Sequence, residues 1–302
     1  MDRRKLPIGI QTFRKVREDG CYYVDKTNLI KSLFLDTLKE LFEGSGELFE
    51  GLAIRGKWDW SVQHPVVRLD FSSGSFGSVD DLHAEVEDQL DVVAADAGIE
   101  LAGRTAPIRF RRLIRELRRR AGQRVAVLVD EYDKPILDVL EDADLARANR
   151  DYLRGLYSTL KSADAHIRFS FTTGVSRFSK VNLFSGLNNL TDITLDPDYS
   201  AICGYAEADL DETFAPELPG LDREAIREWY NGYSWQRIPQ RDGVRARRGL
   251  RLTGQDADPV RLPCARRRQP RSVPLRRTPC PIWPWAAVAV AAPPAPARAK
   301  PA

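Results

Sequence analysis

The run RVAVLVDEYDKP ends an apolar stretch, Val125 to Val129, in the two carboxylates Asp130 and Glu131. A continuous apolar run of this length suits a strand buried at the centre of a parallel sheet. The carboxyl ends of such strands border the crevice in which α/β sheets take their ligands. An Asp there can hold Mg2+, directly or through water, and a Glu beside it can orient or deprotonate an attacking water. The same residues also fit an ordinary acidic loop, so by themselves they leave both readings open.

Two further stretches bear on the choice. FTTGVSRFSK, at the end of the next apolar run, offers Thr173 and Ser176 as hydroxyls that could sense a terminal phosphate or place a water. Its Arg177 could neutralise charge in a phosphoryl-transfer transition state. A plain polar loop is the competing reading. Nearer the N-terminus, Lys31-Ser32 matches the last two positions of the phosphate-binding pattern G-x-x-x-x-G-K-[ST], the Walker A loop. The glycines of that pattern let backbone N–H groups wrap the phosphates in conformations closed to residues with a Cβ. Here Asp25 and Ile30 stand at the glycine positions. The first adds negative charge beside the phosphates, and the second is β-branched where backbone freedom is needed. The loop therefore cannot form in the usual way, and Lys31 and Ser32 keep only the weak anion attraction of a helix N-terminus.

The elements that must hold these groups are legible from periodicity. Residues 27–43 read as a helix in which Leu29, Ile30, Leu33, Phe34, Leu38, Leu41 and Phe42 recur at three- and four-residue spacings. Thr27 can cap its start and Gly44 its end. Strands are expected over 65–72, where PVVRLDFS carries Asp70 near its end, and over 124–130 and 167–174. Helices are expected over 79–97, 107–122 and 144–162, the second opening on Pro107 and stopping at Gly122. This alternation predicts an α/β fold of three layers, with helices on both faces of a mostly parallel sheet. Residues 196–235 read as a small separate helical segment, with helices over 206–214 and 222–229.

The net charge of +3 conceals two different polymers. Residues 236–302 hold 14 Arg and 1 Lys against 3 Asp, a charge of +12 that leaves −9 on residues 1–235. They also hold 12 of the 19 prolines and show no helical or strand period, so the tail reads as disordered. One origin for it is a basic arm that neutralises phosphates on nucleic acid or a membrane surface. The other is a GC-rich gene read out of frame, which yields Arg, Pro and Ala, and the abrupt break after WYNGYSW favours this second origin. The helix over 107–122 carries Arg109, Arg111, Arg112, Arg115, Arg118, Arg119 and Arg120, a set that could grip a phosphate backbone. Its arginines lie on several sides, which favours a solvated face.

Other classes are excluded more simply. The four cysteines form no C-x-x-C pair and the three histidines no ligand cluster, so reduced thiols and no histidine metal site are expected. MDRRKLPIGI lacks the apolar core of a signal peptide, and no apolar run reaches the roughly 18 residues of a membrane span. The expectation is a cytoplasmic protein without a membrane partner.

Together, LPIGIQTFRKVREDGCYYVDKT, KSLFLDTLKELFEG, LFEGLAI, VAVLVDEYDKPIL, TTGVSRFSKVNLFSGLNNLTDITL and WYNGYSW resemble, in order, the AAA-ATPase-like domain family of bacteria. Its members are P-loop ATPase-type proteins that commonly continue into a nuclease-like domain of the PD-(D/E)XK class. The resemblance covers residues 5–235. It implies an AAA-ATPase-like α/β core over 5–195 and a lid-like helical segment over 196–235, ahead of an unrelated tail over 236–302. It also implies ATP and Mg2+ as ligands, Asp130 as the metal-holding Walker B residue, and Glu131 and Arg177 as catalytic groups. Lys31, Ser32, Thr173 and Ser176 are then the nucleotide-binding positions. The family pattern has a further segment between VDKT and KSL, which supplies the first sheet strand and a loop whose last two residues match Lys31 and Ser32. Without it the P-loop NTPase-like sheet lacks its first strand, and the neighbouring strands must pair around a gap or leave edges exposed. The expected function is a degenerate protein of ATP-binding ancestry with little or no hydrolysis. The alternative is a pseudo-ATPase that binds protein or nucleic acid without catalysis. A metal-dependent nuclease is disfavoured, because DEYDK lacks the D…(D/E)-x-K spacing and the tail has no core to hold one.

Overall fold

Alternate residues of the central strand feed opposite faces of one sheet. In a computed structural model, which describes residues 4–7, 10, 12–25, 35–174, 183, 190–193, 207–224 and 286–291, strand β2 (Val125–Asp130) lies between two parallel neighbours. These are β1 (Val66–Asp70) and β3 (Ile167–Gly174). Val125, Val127 and Val129 enter one apolar cluster, and Ala126 and Leu128 enter another. A strand buried on both faces needs helices on both sides.

On the first face stand α3 (Val79–Asp96), α4 (Ala106–Ala121) and α6 (Ala143–Ser162), which bury Leu82, Leu90, Phe110, Leu113, Leu153 and Leu156. On the second stand α1 (Phe13–Glu18), α2 (described over Leu35–Glu43) and a 3-10 turn, Gly46–Phe49. They pack Phe13, Leu38, Phe42 and Phe49 toward Phe169 and Phe171. Fully burying one such side chain contributes roughly 1.5–3 kcal/mol. The three layers and the parallel strands follow the expectation. Between β2 and β3 the register shifts once: Val125 pairs with Ile167 and Ala126 with Phe169, so Arg168 is an extra residue that switches which β3 positions face each layer.

Helix ends follow local chemistry. Ser78 and Asp142 accept backbone N–H groups at the starts of α3 and α6, and α4 stops at Gly122 with φ +68°. Gly44 ends α2 with φ +83°, where a Cβ would fall 2.8 Å from the Gln63 side chain. The expected start of that helix, residues 27–34 with Thr27, Lys31 and Ser32, lies outside the described residues. After β2 a short α5 (Lys134–Leu137) turns the chain toward α6.

The sheet order is β1-β2-β3-β5-β4, where β4 is Leu190–Asp192 and β5 is Ala286–Ala291. Within residues 236–302 the structure describes one strand, β5, which pairs antiparallel with both β3 and β4. Its AAVAVA run is free of charge, Gly and Pro and alternates with period two, a local exception in the Arg- and Pro-rich tail. Residues 236–285 and 292–302 lie outside the described residues. Of the expected helical segment, α7 (Glu207–Thr213) and a 3-10 turn (Ala215–Glu217) are described, and the second helix only at 223–224. Tyr22 touches this segment, donating its hydroxyl to Glu217 at 3.1 Å with its ring 5.3 Å from that of Phe214. Among the described residues no helix is long and apolar enough to cross a membrane.

Candidate functional site

Parallel register sets the ends of β1 and β2 level, so Asp70 stands opposite Asp130 at the carboxyl edge of the sheet. Asp130 Oδ1 accepts the Thr173 hydroxyl from the end of β3 at 2.5 Å and the Glu131 N–H at 3.1 Å. Its other oxygen lies 3.8 Å from the guanidinium of Arg68, two residues before Asp70 on the same side of β1. That guanidinium also reaches Asp70 at 3.0 Å and Asp36 of α2 at 3.5 Å. One cation therefore serves three carboxylates contributed by both the sheet and a helix above it. Asp36 in turn accepts the Phe13 N–H at 2.5 Å, which ties α1 to the cluster.

Burial pushes the Asp130 carboxyl above its ordinary range, and the neighbouring Asp70 adds to the rise. The Thr173 hydroxyl, Arg68 and the Glu131 N–H offset it only in part. Glu131 is raised as well, first by burial and then by the charge of Asp130, with Lys134 opposing. A raised carboxylate is the protonation behaviour expected of a group withheld from water and left short of positive charge.

The turn after β2 is tightly made. Glu131 takes φ +48°, the left-handed region that a residue with a Cβ adopts at a cost of about 1 kcal/mol. The Tyr132 N–H holds it there by donating to the Thr173 carbonyl at 2.9 Å. At Gly174 a Cβ would fall 2.4 Å from Asp133 Oδ1 and 2.6 Å from the Tyr132 ring, so the end of β3 and this turn fit together only because the residue is glycine. Behind it, Tyr157 donates its hydroxyl to the Tyr132 carbonyl at 3.3 Å, and Asn149 donates to the Pro135 carbonyl at 2.8 Å. Burial pushes the Tyr157 phenol well above its ordinary value, so it stays a neutral donor.

The structure places the Thr173 hydroxyl and the Glu131 N–H on Asp130. Lys31, Ser32, Ser176 and Arg177 lie outside the described residues. Asp25, at the first glycine position of the loop pattern, accepts the Ala53 N–H at 2.7 Å and so serves as a tie to the following loop. Sequence patterning does not single out Arg68, Asp36 or Gln89. Gln89 fixes the end of β1 by accepting the Asp70 N–H at 2.7 Å and donating to the Asp70 carbonyl at 2.8 Å. The signal for Gln89 and Asn149 is a polar residue at an inward helical position, three residues after Val86 in one case and four before Leu153 in the other.

The Arg68 guanidinium supplies positive charge beside Asp70 and Asp130, and among the described residues there is no group of three or more His, Cys, Asp or Glu that could hold a metal ion. Five of the seven arginines of α4 make contacts within the protein. Arg109 pairs with Glu87 and Asp91, and Arg119 and Arg120 with Glu116. Arg112 and Arg118 donate to the carbonyls of Ala102 and Ala165.

A protein of Azotobacter chroococcum mcd 1, described as "Uncharacterized protein in vnfD 5'region", is 52% identical over 255 residues. The match covers 78% of this chain and 49% of that protein, so the chain spans about half the length of the curated relative it matches. No solved structure matches. The family model described as "Predicted AAA-ATPase" matches residues 7–33 and 31–184, the stretch that carries the Asp130 edge and most of the sheet. By that match the chain belongs to the AAA-ATPase-like family.

Proposed function

We propose that this protein is a degenerate AAA-ATPase-like domain protein, of ATP-binding ancestry, with little or no ATP hydrolysis. The observation that carries the reading is the division of the family match into two segments that meet at residues 31–33. Two segments meeting there are what a family pattern skipped before Lys31-Ser32 would give, and Asp25 and Ile30 stand where a phosphate loop needs glycines. The alignment to the Azotobacter relative supports it. That alignment runs to 255 positions yet covers only 78% of the 302-residue chain, so part of it faces residues that this chain lacks.

In this reading Asp130 is the ancestral Walker B metal holder, and Glu131 and Arg177 are the ancestral catalytic groups. Lys31, Ser32, Thr173 and Ser176 are the ancestral nucleotide contacts, and Mg-ATP is the ligand for which they were arranged. What remains is a structural use of the same atoms. Thr173 and the Glu131 N–H hold Asp130, and Arg68 supplies the positive charge at the edge. In this reading hydrolysis is lost because Asp25 and Ile30 stand where the phosphate loop needs glycines. A cytoplasmic location goes with this reading.

A second reading, a non-catalytic module that binds nucleic acid, is favoured by the +12 charge of residues 236–302. It draws less support from α4, where five of the seven arginines are engaged with neighbouring acids and carbonyls. ATP turnover by the full chain, measured beside Glu131→Gln, tests the first reading. Equal and negligible rates are expected, and turnover that Glu131→Gln abolishes would overturn it. Binding to duplex DNA that weakens steeply with salt would favour the second.

A further inference from the structure

We propose that the gap between β3 and β4 is a strand-binding site for an extended segment of small and β-branched residues, and that the chain fills it with its own Ala286–Ala291. The proposal rests on the reading that the first strand of the family's sheet is missing.

Four strands, β1 to β4, share one direction, and β5 alone runs against them. β5 sits inside the sheet, between β3 and β4. The two neighbours are level across it: Ser170 and Leu190 both pair with Ala291, Phe171 and Thr191 with Val290, and Thr172 and Asp192 with Ala289. β3 and β4 therefore stand about 9.6 Å apart, two strand spacings, with room for one strand. The β3 side of the gap is interior, since Ser170, Phe171 and Thr172 are buried. Backbone N–H and C=O groups left unpaired there would have no water to satisfy them. The gap requires an occupant, and what it recognises is backbone in extended form, the mode by which sheets accept added peptide strands.

Direction gives the occupant a consequence. Ala286 pairs with Gly174, so the tail enters the sheet at the edge that holds Asp130 and leaves toward the opposite edge. A strand parallel to its neighbours would end at the Asp130 edge and could deliver a loop there, as phosphate-binding strands do. The antiparallel tail strand cannot. A filled gap of this kind and a bound phosphate loop exclude each other.

Cross-linking of the full chain tests the placement. Thr191 and Val290 are register partners, and Thr191 is exposed. Opposed Cα atoms in an antiparallel pair lie about 4.5–5.5 Å apart, within disulfide range. In a chain carrying Thr191→Cys and Val290→Cys, oxidised when dilute and mapped by peptide mass spectrometry, a bond between positions 191 and 290 of one molecule is expected. It should form at least about tenfold faster than in a chain carrying Thr191→Cys and Val273→Cys, because pairing fixes the effective concentration. A bond between two molecules, or a rate equal to that control, overturns the proposal. Amide exchange gives a second reading that uses no cysteine. Ala289→Pro removes a ladder donor, so exchange at whichever of the Phe171, Thr172 and Thr191 amides face β5 should rise about tenfold or more while Val67 to Leu69 stay protected. Unchanged exchange at those three amides also overturns it. Neither readout involves nucleotide, so ATP turnover in a chain that cross-links would refute the degenerate reading and the exclusion of a phosphate loop, and leave the strand pairing itself standing.

Discussion

The Arg68 guanidinium stands 3.8 Å from the Asp130 carboxylate and bridges it to Asp70 at 3.0 Å. A half-buried cation shared this way lies between an exposed pair, worth about 0–1 kcal/mol, and a buried one, whose breaking costs about 3–5 kcal/mol. Arg68→Met is expected to cost about 2 kcal/mol in urea unfolding. Adding Asp130→Asn should recover part of that loss, because one of the unpaired charges is then gone. Strict additivity of the two substitutions would show that Arg68 does not act through Asp130.

Protonation gives the same cluster a pH signature. Asp130 is raised above its ordinary 3.8 in the folded state, chiefly by burial. The folded protein thus holds this proton more tightly than the unfolded chain. The stability this provides is complete below the ordinary value and is lost as pH rises through the raised one. Asp130→Asn should therefore compare more favourably with the parent at pH 7 than at pH 3.5. Urea melts at the two pH values check it, and a difference of opposite sign would refute the assignment.

Gly174 and Gly155 make a matched pair. At Gly174 a Cβ would collide with Asp133 and Tyr132, whereas at Gly155, inside α6, nothing lies within 4 Å. Gly174→Ala should destabilise by about 1–3 kcal/mol through overpacking. Gly155→Ala should stabilise by about 0.5–1 kcal/mol through helix propensity. Thermal unfolding of both separates local collision from a general intolerance of alanine.

Gln89→Leu removes both partners of the Asp70 backbone at once. Leaving buried polar groups unsatisfied costs about 1–3 kcal/mol each, and the leucine returns some apolar contact. A net loss of about 2 kcal/mol is expected by chemical denaturation. Glu85→Ala, which removes only the carboxylate that accepts a Gln89 amide hydrogen at 2.5 Å, should cost less.

What the sequence reveals and what it hides divide along physical lines. The run Val125 to Val129 and the inward rows Leu82, Val86, Leu90 and Leu153, Leu156, Leu160 carry the layers, because burial on a regular element writes a period into the chain. Asp130 and Thr173 are legible because they end such runs. Arg68 is not, since a charged residue inside an expected strand reads as a solvent-facing position, and its site role comes from contacts with Asp130 on the neighbouring strand and Asp36 of α2. The positive φ of Glu131 has no sequence mark, because glycine usually stands at such turns. The β5 strand is hidden in a segment whose overall composition argues for disorder, and its partners on β3 and β4 are distant in the chain. Long-range pairing of this kind leaves no local period.

The measurement that tests the central claim most directly is isothermal calorimetry of Mg-ATP binding to the full chain, with Lys31→Ala and Asp130→Ala beside it. The account predicts no binding heat from a folded protein, since the glycine positions hold Asp25 and Ile30 and the Asp130 edge already holds Arg68. Micromolar binding that both substitutions abolish would contradict it, and would show that Lys31 and Asp130 still meet around a nucleotide.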